Sequence, residues 1–231
     1  MKPLIIIPAR GGSKGIPGKN IKLLGGRPLV AYTVDVAIEL QKKFGGYVLL
    51  STDSIEIADV VKSLGVDVEY MRPAELGGDT VGSREVMLDA MDWAEGRGVD
   101  YDCVVLLQPT SPFRKVSDVV AAMSLYGDDT DMVVSVCECP QNPYYNVFET
   151  DSRGLLHVCK GDGMYTRRQD VPKVWEYNGA VYVIRPESLR EMPMGAFPVR
   201  RPSEMPRRRS LDLDTMADWA LAESLILQNE Y

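Results

Sequence analysis

Along the chain, short unbroken apolar runs alternate with longer stretches whose apolar positions recur with helical spacing. The runs LIIIP (4–8), YVLLS (47–51), VEYM (68–71), CVVLL (103–107), MVVSV (132–136) and AVYVI (180–184) predict strands covered on both faces. Amphipathic segments at 29–41, 54–64, 83–95, 117–126 and 215–229 predict helices between and after them. Asp53 with Glu56 three residues on reads as a capping box opening the second helix. This alternation predicts an α/β fold with a doubly wound, mostly parallel sheet, whose ligands bind beyond the carboxyl ends of the strands.

One region breaks the rhythm. Residues 139–178 carry turn signals around Asp151–Gly154 and Gly161–Gly163 with short alternating pieces between them. They predict an inserted antiparallel hairpin excursion within a single domain spanning 1–231, able to reach a second subunit. Apolar side chains on such an excursion would need cover, so a homodimer is expected.

Composition narrows the function. A net charge of −7 argues against a general nucleic-acid binder, which needs a basic surface to displace counterions. The N-terminal apolar run is too short for a secretory signal and no membrane span is visible, so the expected compartment is the cytoplasm. Cys103, Cys137, Cys139 and Cys159 show no zinc-ligand spacing, and Cys103 and Cys137 read as core. The single histidine, His157, lies in the hairpin region and offers little to catalysis. The basic run Arg207-Arg208-Arg209 reads as a solvated face or a foil to acidic neighbours.

The first strand runs directly into Arg10-Gly-Gly-Ser13-Lys14-Gly-Ile-Pro-Gly-Lys19-Asn20. This loop fails the Walker A pattern, because residue 13 is serine and residue 20 asparagine. It fails the dinucleotide fingerprint as well, since Gly11, Gly12, Gly15 and Gly18 never supply its G-x-G. Glycines that turn backbone N–H groups inward, with Arg10, Lys19 and Lys14 for charge, still suit a polyphosphate. In Leu211-Asp212-Leu213-Asp214, strand alternation would set both carboxylates on one face, which reads either as a seat for Mg²⁺ or Mn²⁺ or as a half-exposed strand before a helix start at Thr215.

RGGSKGIPGKN resembles the signature loop of the acylneuraminate cytidylyltransferases, which activate sialic and related nonulosonic acids. RPAELGGDTVGS (72–83), LLQPTSPFR (106–114), NGAVYV (178–183) and LDLDT (211–215) resemble further family segments in family order. The resemblance implies a nucleotide-sugar nucleotidyltransferase fold and a reaction in which CTP and an acidic nine-carbon sugar give the CMP-sugar and pyrophosphate. It implies nucleotide contacts at Arg10, Gly11, Gly12, Ser13, Lys19, Asn20, Arg72 and Ser83, and sugar contacts at Gln108, Arg168, Gln169 and Asn178. Catalysis would fall to Arg10, Lys19, Asp212 and Asp214, with the two aspartates as metal ligands. Two positions depart from the sialic acid pattern: Glu176 stands for an arginine and Tyr145 for a lysine. They point to a related nine-carbon acid, such as a legionaminate, pseudaminate or deaminated sialate, with Arg168 or Lys160 meeting its carboxylate. Alternatives are a nucleotidyltransferase for 3-deoxy-manno-octulosonate or a sugar 1-phosphate, and a nucleotide-binding relative without catalysis.

Overall fold

The computed structural model describes residues 1–78 and 80–229; Asp79, within the 72–83 segment, lies outside the described residues. In chain order the elements are β1 (Pro3–Pro8), β2 (Leu23–Leu24), β3 (Arg27–Pro28), α1 (Leu29–Phe44), β4 (Tyr47–Ser51) and α2 (Ile55–Ser63). Then follow α3 (Ser83–Gly96), β5 (Cys103–Leu107), α4 (Val116–Ser124), β6 (Met132–Glu138), β7 (Phe148–Thr150) and β8 (Leu156–Val158). The chain ends with β9 (Trp175–Ile184), α5 (Pro186–Glu191), β10 (Arg200–Glu204) and α6 (Met216–Gln228).

Six strands form the central sheet in the order β10-β6-β9-β5-β1-β4. All neighbouring pairs are parallel except those of β9, which runs antiparallel to β5 and β6. Side chains alternate across the sheet, as the pleat requires. Ile5, Ile7, Val105 and Leu107 pack under α1, α2 and α4, while Leu4, Ile6, Val104 and Leu106 pack against α3 and α5. That two-sided burial is why the strands read as continuous apolar runs.

A third cluster bears on function. Ile16 of the glycine-rich loop, Leu24, Phe113, Leu213 and Trp219 of α6 are buried together. It seats that loop and the 211–214 segment on the body of the protein. Because β1, β4, β5 and β6 end at the same sheet edge and antiparallel β9 begins there, five segments distant in sequence converge on it.

The structure departs from the sequence reading in several places. VEYM (68–71) makes no ladder; Tyr70 is buried, and the segment is fastened by Arg72 N–H donating to Thr52 O at 2.8 Å. Its alternation is that of an extended segment flanking the sheet, not of a paired strand. The cap of α2 is Ser54, whose Oγ accepts from Ile57 N, whereas Asp53 is used elsewhere. The LDLD segment is a loop, fastened by Leu213 N–H donating to Thr110 O at 2.9 Å. Edge strand β10 and short helix α5 carry too few apolar residues to signal themselves. β7 and β8 form a separate antiparallel hairpin with mostly exposed side chains.

Candidate active site

The loop after β1 is held by contacts that fix its backbone rather than fill it. Asn20, only 6% exposed, donates from Nδ2 to Arg10 O at 3.0 Å. Gly11 N–H donates to Asp53 Oδ1 at 2.7 Å, which is where the Asp53 carboxylate is spent. Gly15 lies so close to the 211–214 loop that an added Cβ would stand 2.2 Å from Asp214 O. Gly18 turns the chain with φ +63°, the left-handed region that glycine occupies at no steric cost. Lys19 then reaches across, its Nζ 2.6 Å from Leu213 O and 3.4 Å from Asp214 Oδ1.

Beside this loop opens a cleft of about 320 Å³. Arg10, Ser13, Lys14, Lys19, Asn20, Arg72, Ser83, Gln108 and Asp214 all line it, so nine residues singled out by sequence meet at one place. Gly11 and Gly12 are in the same loop outside that lining, with nothing within 4 Å of a Cβ added at Gly12. Ser83 opens the 14-residue helix α3, whose N-terminal peptide dipoles favour an anion. Arg72 is held by Ser51, donating from Nε to Oγ at 2.9 Å and from NH2 to the carbonyl at 2.7 Å. Burial lowers the Arg72 pKa, and Asp53 counters that shift.

The two aspartates differ. Leu213 is fully buried and Leu211 packs against the same cluster, as alternation anticipates. Asp214 is exposed into the cleft, its side chain 75% accessible. Asp212 lies deeper, with Oδ1 buried and without a hydrogen-bond partner. Gly179 (φ +73°) passes so near that a Cβ there would stand 3.3 Å from Asp212 Oδ2. Burial raises the Asp212 pKa above the ordinary carboxylate value; the Thr110 hydroxyl and Lys19 oppose the rise, and the Asp214 charge adds to it. Among the described residues no three His, Cys, Asp or Glu side chains group as a metal cage, and of the two aspartates Asp214 alone lines the cleft.

The expected sugar contacts are dispersed. Gln108 lines the cleft at the end of β5. Asn178 is buried and committed internally: Ser135 Oγ donates to its Oδ1 at 2.6 Å, and its Nδ2 donates to Ser210 Oγ at 2.8 Å. Those bonds tie a bulge in β6 to the loop leading to Asp212. Arg168 lines a second cleft with Asn142, Lys173 and Arg207, and exposed Gln169 adjoins it in the 168–170 turn. Glu176 pairs with Arg207 at 2.8 Å, and Arg209 with the buried Asp118 at 2.6 Å, so two of the three run arginines are foils to acids. Lys160 Nζ lies over the Tyr144 ring at 5.0 Å.

Sequence reading missed Arg114, which is 3% exposed and donates to Gln108 O, Ala180 O and Thr33 Oγ1. Burial pushes its pKa down to about 9, so it stays charged at neutral pH while bracing the Gln108 turn. Its place in the LLQPTSPFR segment was the available signal. Thr110 was missed too, although it lines the cleft.

Comparison with known proteins bears on this site. A family model described as Cytidylyltransferase matches residues 4–225. The chain is 34% identical over 239 residues to the CMP-N,N'-diacetyllegionaminic acid synthase of Legionella pneumophila, covering 100% of this chain and 98% of that protein. It is 36% identical over 222 residues to the N-acylneuraminate cytidylyltransferase of Streptococcus agalactiae, covering 95% of this chain and 52% of that protein. The chain thus spans about half the length of that streptococcal relative. The solved structure of a CMP:2-keto-3-deoxy-manno-octonic acid synthetase complexed with CTP superposes with a TM-score of 0.70, covering 99% of this chain and 100% of that one. At 20% identity, that likeness establishes the fold.

Proposed function

The chain belongs to the cytidylyltransferase family, and from that premise we propose that it joins CMP, taken from CTP, to the anomeric hydroxyl of a nonulosonic acid. The observation that carries the reading is the convergence of Arg10, Lys19, Arg72, Ser83, Gln108 and Asp214 on one cleft. In the reaction the anomeric oxygen attacks the α-phosphorus. The bond from that phosphorus to the oxygen bridging to the β-phosphate breaks, pyrophosphate leaves, and the hydroxyl proton passes to solvent. The protein's task is alignment and charge compensation.

Arg10, Lys19 and the backbone of the glycine-rich loop hold the triphosphate, with the α3 N-terminus adding favourable dipoles. Arg72, prefixed on Ser51, presents a donor to the cytosine edge. Asp212 and Asp214 fit a hard divalent cation, Mg²⁺ or Mn²⁺. A buried carboxylate oxygen without a partner beside a second, exposed carboxylate is a donor set such an ion completes with phosphate oxygens and water. When bound, the ion supplies Lewis-acid withdrawal of charge from those phosphate oxygens. Lys19 reaches from the phosphate loop to Asp214, so one ammonium serves both.

The acceptor on this reading is a nine-carbon acid of the legionaminate kind rather than N-acetylneuraminate. The full-length likeness to the Legionella enzyme supports it, as does Glu176, which offers a carboxylate paired with Arg207 where the sialic acid pattern has an arginine. Arg168 lines the second cleft and not the one that holds Gln108; it is kept as the candidate for the acid's carboxylate, which its substitution decides. The enzyme works in the cytoplasm as a homodimer joined through the β7–β8 region. The exposed Phe148, Leu155, Leu156 and Met164 support that pairing.

Two substitutions separate the halves of the reaction. Lys19→Met lowers kcat/KM for CTP by about 10²–10³-fold, as expected for loss of one preorganised charge. Arg168→Ala raises KM for the acid about tenfold, the scale of one charge-assisted hydrogen bond. Steady-state kinetics decide both: an unaltered kcat/KM for CTP in the first, or an unaltered KM for the acid in the second, removes that residue from its role.

A further inference from the structure

Three buried side-chain polar atoms among the described residues lack a hydrogen-bond partner, and two of them, Thr110 Oγ1 and Asp212 Oδ1, belong to segments bonded to each other beside the cleft. Leaving a buried hydroxyl and a buried carboxylate oxygen both unmatched is unfavourable, so one partner lying within reach of the other calls for a reason. The backbones of the two segments are already pinned, Leu213 N–H donating to Thr110 O at 2.9 Å. Gly179 closes the other side of Asp212, an added Cβ standing 3.3 Å from Oδ2. The carboxylate therefore sits in a slot with the β9 backbone on one wall and Thr110 near the other.

The other hydroxyls nearby are committed. Ser111 Oγ donates to Asn178 O at 3.5 Å, and Ser210 Oγ donates to Pro206 O at 3.0 Å while accepting from Asn178. Thr110 alone of these keeps an unassigned proton, and the Leu213 N–H bond to Thr110 O fixes its backbone against the segment that carries Asp212. A threonine hydroxyl has one donor and two acceptor positions. It can give its proton to a carboxylate and still turn a lone pair toward a third group.

We propose that Thr110 is a positioning residue for the reaction: its hydroxyl donates to Asp212 and holds that carboxylate toward the cleft, in the orientation that receives the divalent cation. This rests on the reading of Asp212 and Asp214 as the cation seat. Groups that orient a metal's ligands are worth about 10–100-fold in affinity. Thr110 does this from the loop that also carries Gln108, so the seat and one wall of the sugar subsite share a single short turn.

The test uses the full chain with Mn²⁺ and a non-hydrolysable CTP analogue, reading Mn²⁺ affinity by electron paramagnetic resonance. Thr110→Val keeps the shape and removes the hydroxyl; Thr110→Ser keeps the hydroxyl; Thr110→Ala stands in if the valine variant does not fold. The valine or alanine protein is expected to bind Mn²⁺ about 10-fold or more weakly, with kcat falling while KM for CTP at saturating Mn²⁺ stays within about twofold. The serine protein is expected to recover both within about threefold. Asp212→Asn separates the premises. Loss of Mn²⁺ affinity in Asp212→Asn with wild-type affinity in Thr110→Val overturns the role of Thr110. Wild-type affinity in Asp212→Asn overturns the cation seat itself. Equal losses in the valine and serine proteins also overturn the proposal, because they assign the effect to packing.

Discussion

At the scale of single residues, the phosphate loop works by what it leaves out. Gly15 has no side chain because Asp214 O occupies that space. Gly15→Ala must push the glycine-rich loop and the 211–214 loop apart, and displacements near 1 Å at a reacting centre cost about 10²-fold in rate. The expected outcome is kcat lowered about 100-fold in a protein whose circular dichroism is unchanged. Gly12→Ala, in the same loop with no protein atom near the new methyl, is the comparison and is expected to lose much less turnover than Gly15→Ala. Equal losses in both would show that the loop's flexibility, not the Gly15–Asp214 contact, sets activity. The residues of this loop were legible in sequence because they are consecutive. The partner of Gly11 was not: Asp53, 42 positions away, carries the pattern of a helix cap and is turned to the loop by folding alone. The bracing role of Arg114 was illegible for the same reason, although its segment was not, since its partners come from α1, the β5 turn and β9.

At the scale of elements, the apolar runs of β1, β4, β5, β6 and β9 announced themselves because both faces of the sheet are covered. β10 did not, because Arg-Arg-Pro-Ser-Glu at a sheet edge buries only Ser203. Beyond its ladder with β6, it is anchored by Asp131, at the foot of that strand. Its Oδ1 accepts from Ser188 Oγ of α5 at 2.6 Å, and its Oδ2 accepts from Val199 N–H before β10 at 2.8 Å. The Ser188 bond first, then the Val199 bond, hold the Asp131 pKa below its ordinary value of 3.8. A carboxyl with a depressed folded pKa adds stability that is present above the unfolded value and lost as pH falls through the folded one. Asp131→Asn should therefore lower Tm by a constant amount between pH 7 and about pH 5, with the gap closing below about pH 4. Thermal melts across that range decide it, and a gap of the same size at pH 3.5 would assign the effect to hydrogen bonding without charge.

At the scale of the whole molecule, the sheet edge explains the site: parallel strands deliver their C-terminal loops, and one antiparallel strand delivers Asn178 and Gly179, to the same place. LDLD was misjudged as a strand: its leucines pack in the core and Asp214 enters the cleft, while Asp212 lies deeper, against Gly179. The hairpin lies outside this core, with Leu156 at 70% and Met164 at 75% exposure. The double variant Phe148→Glu, Leu156→Glu is expected to convert a dimer to a monomer in light scattering while leaving the far-ultraviolet spectrum intact. A variant that stays dimeric would move the interface elsewhere.

The reaction itself is tested most directly by pyrophosphate release with Mg²⁺, each of the four nucleoside triphosphates being paired with a panel of nonulosonic acids and 3-deoxy-manno-octulosonate. The account predicts release with CTP alone among the nucleotides, and fastest with an acid of the legionaminate kind. Release with 3-deoxy-manno-octulosonate in preference to every nine-carbon acid, or CTP binding with no release from any pair, would contradict it.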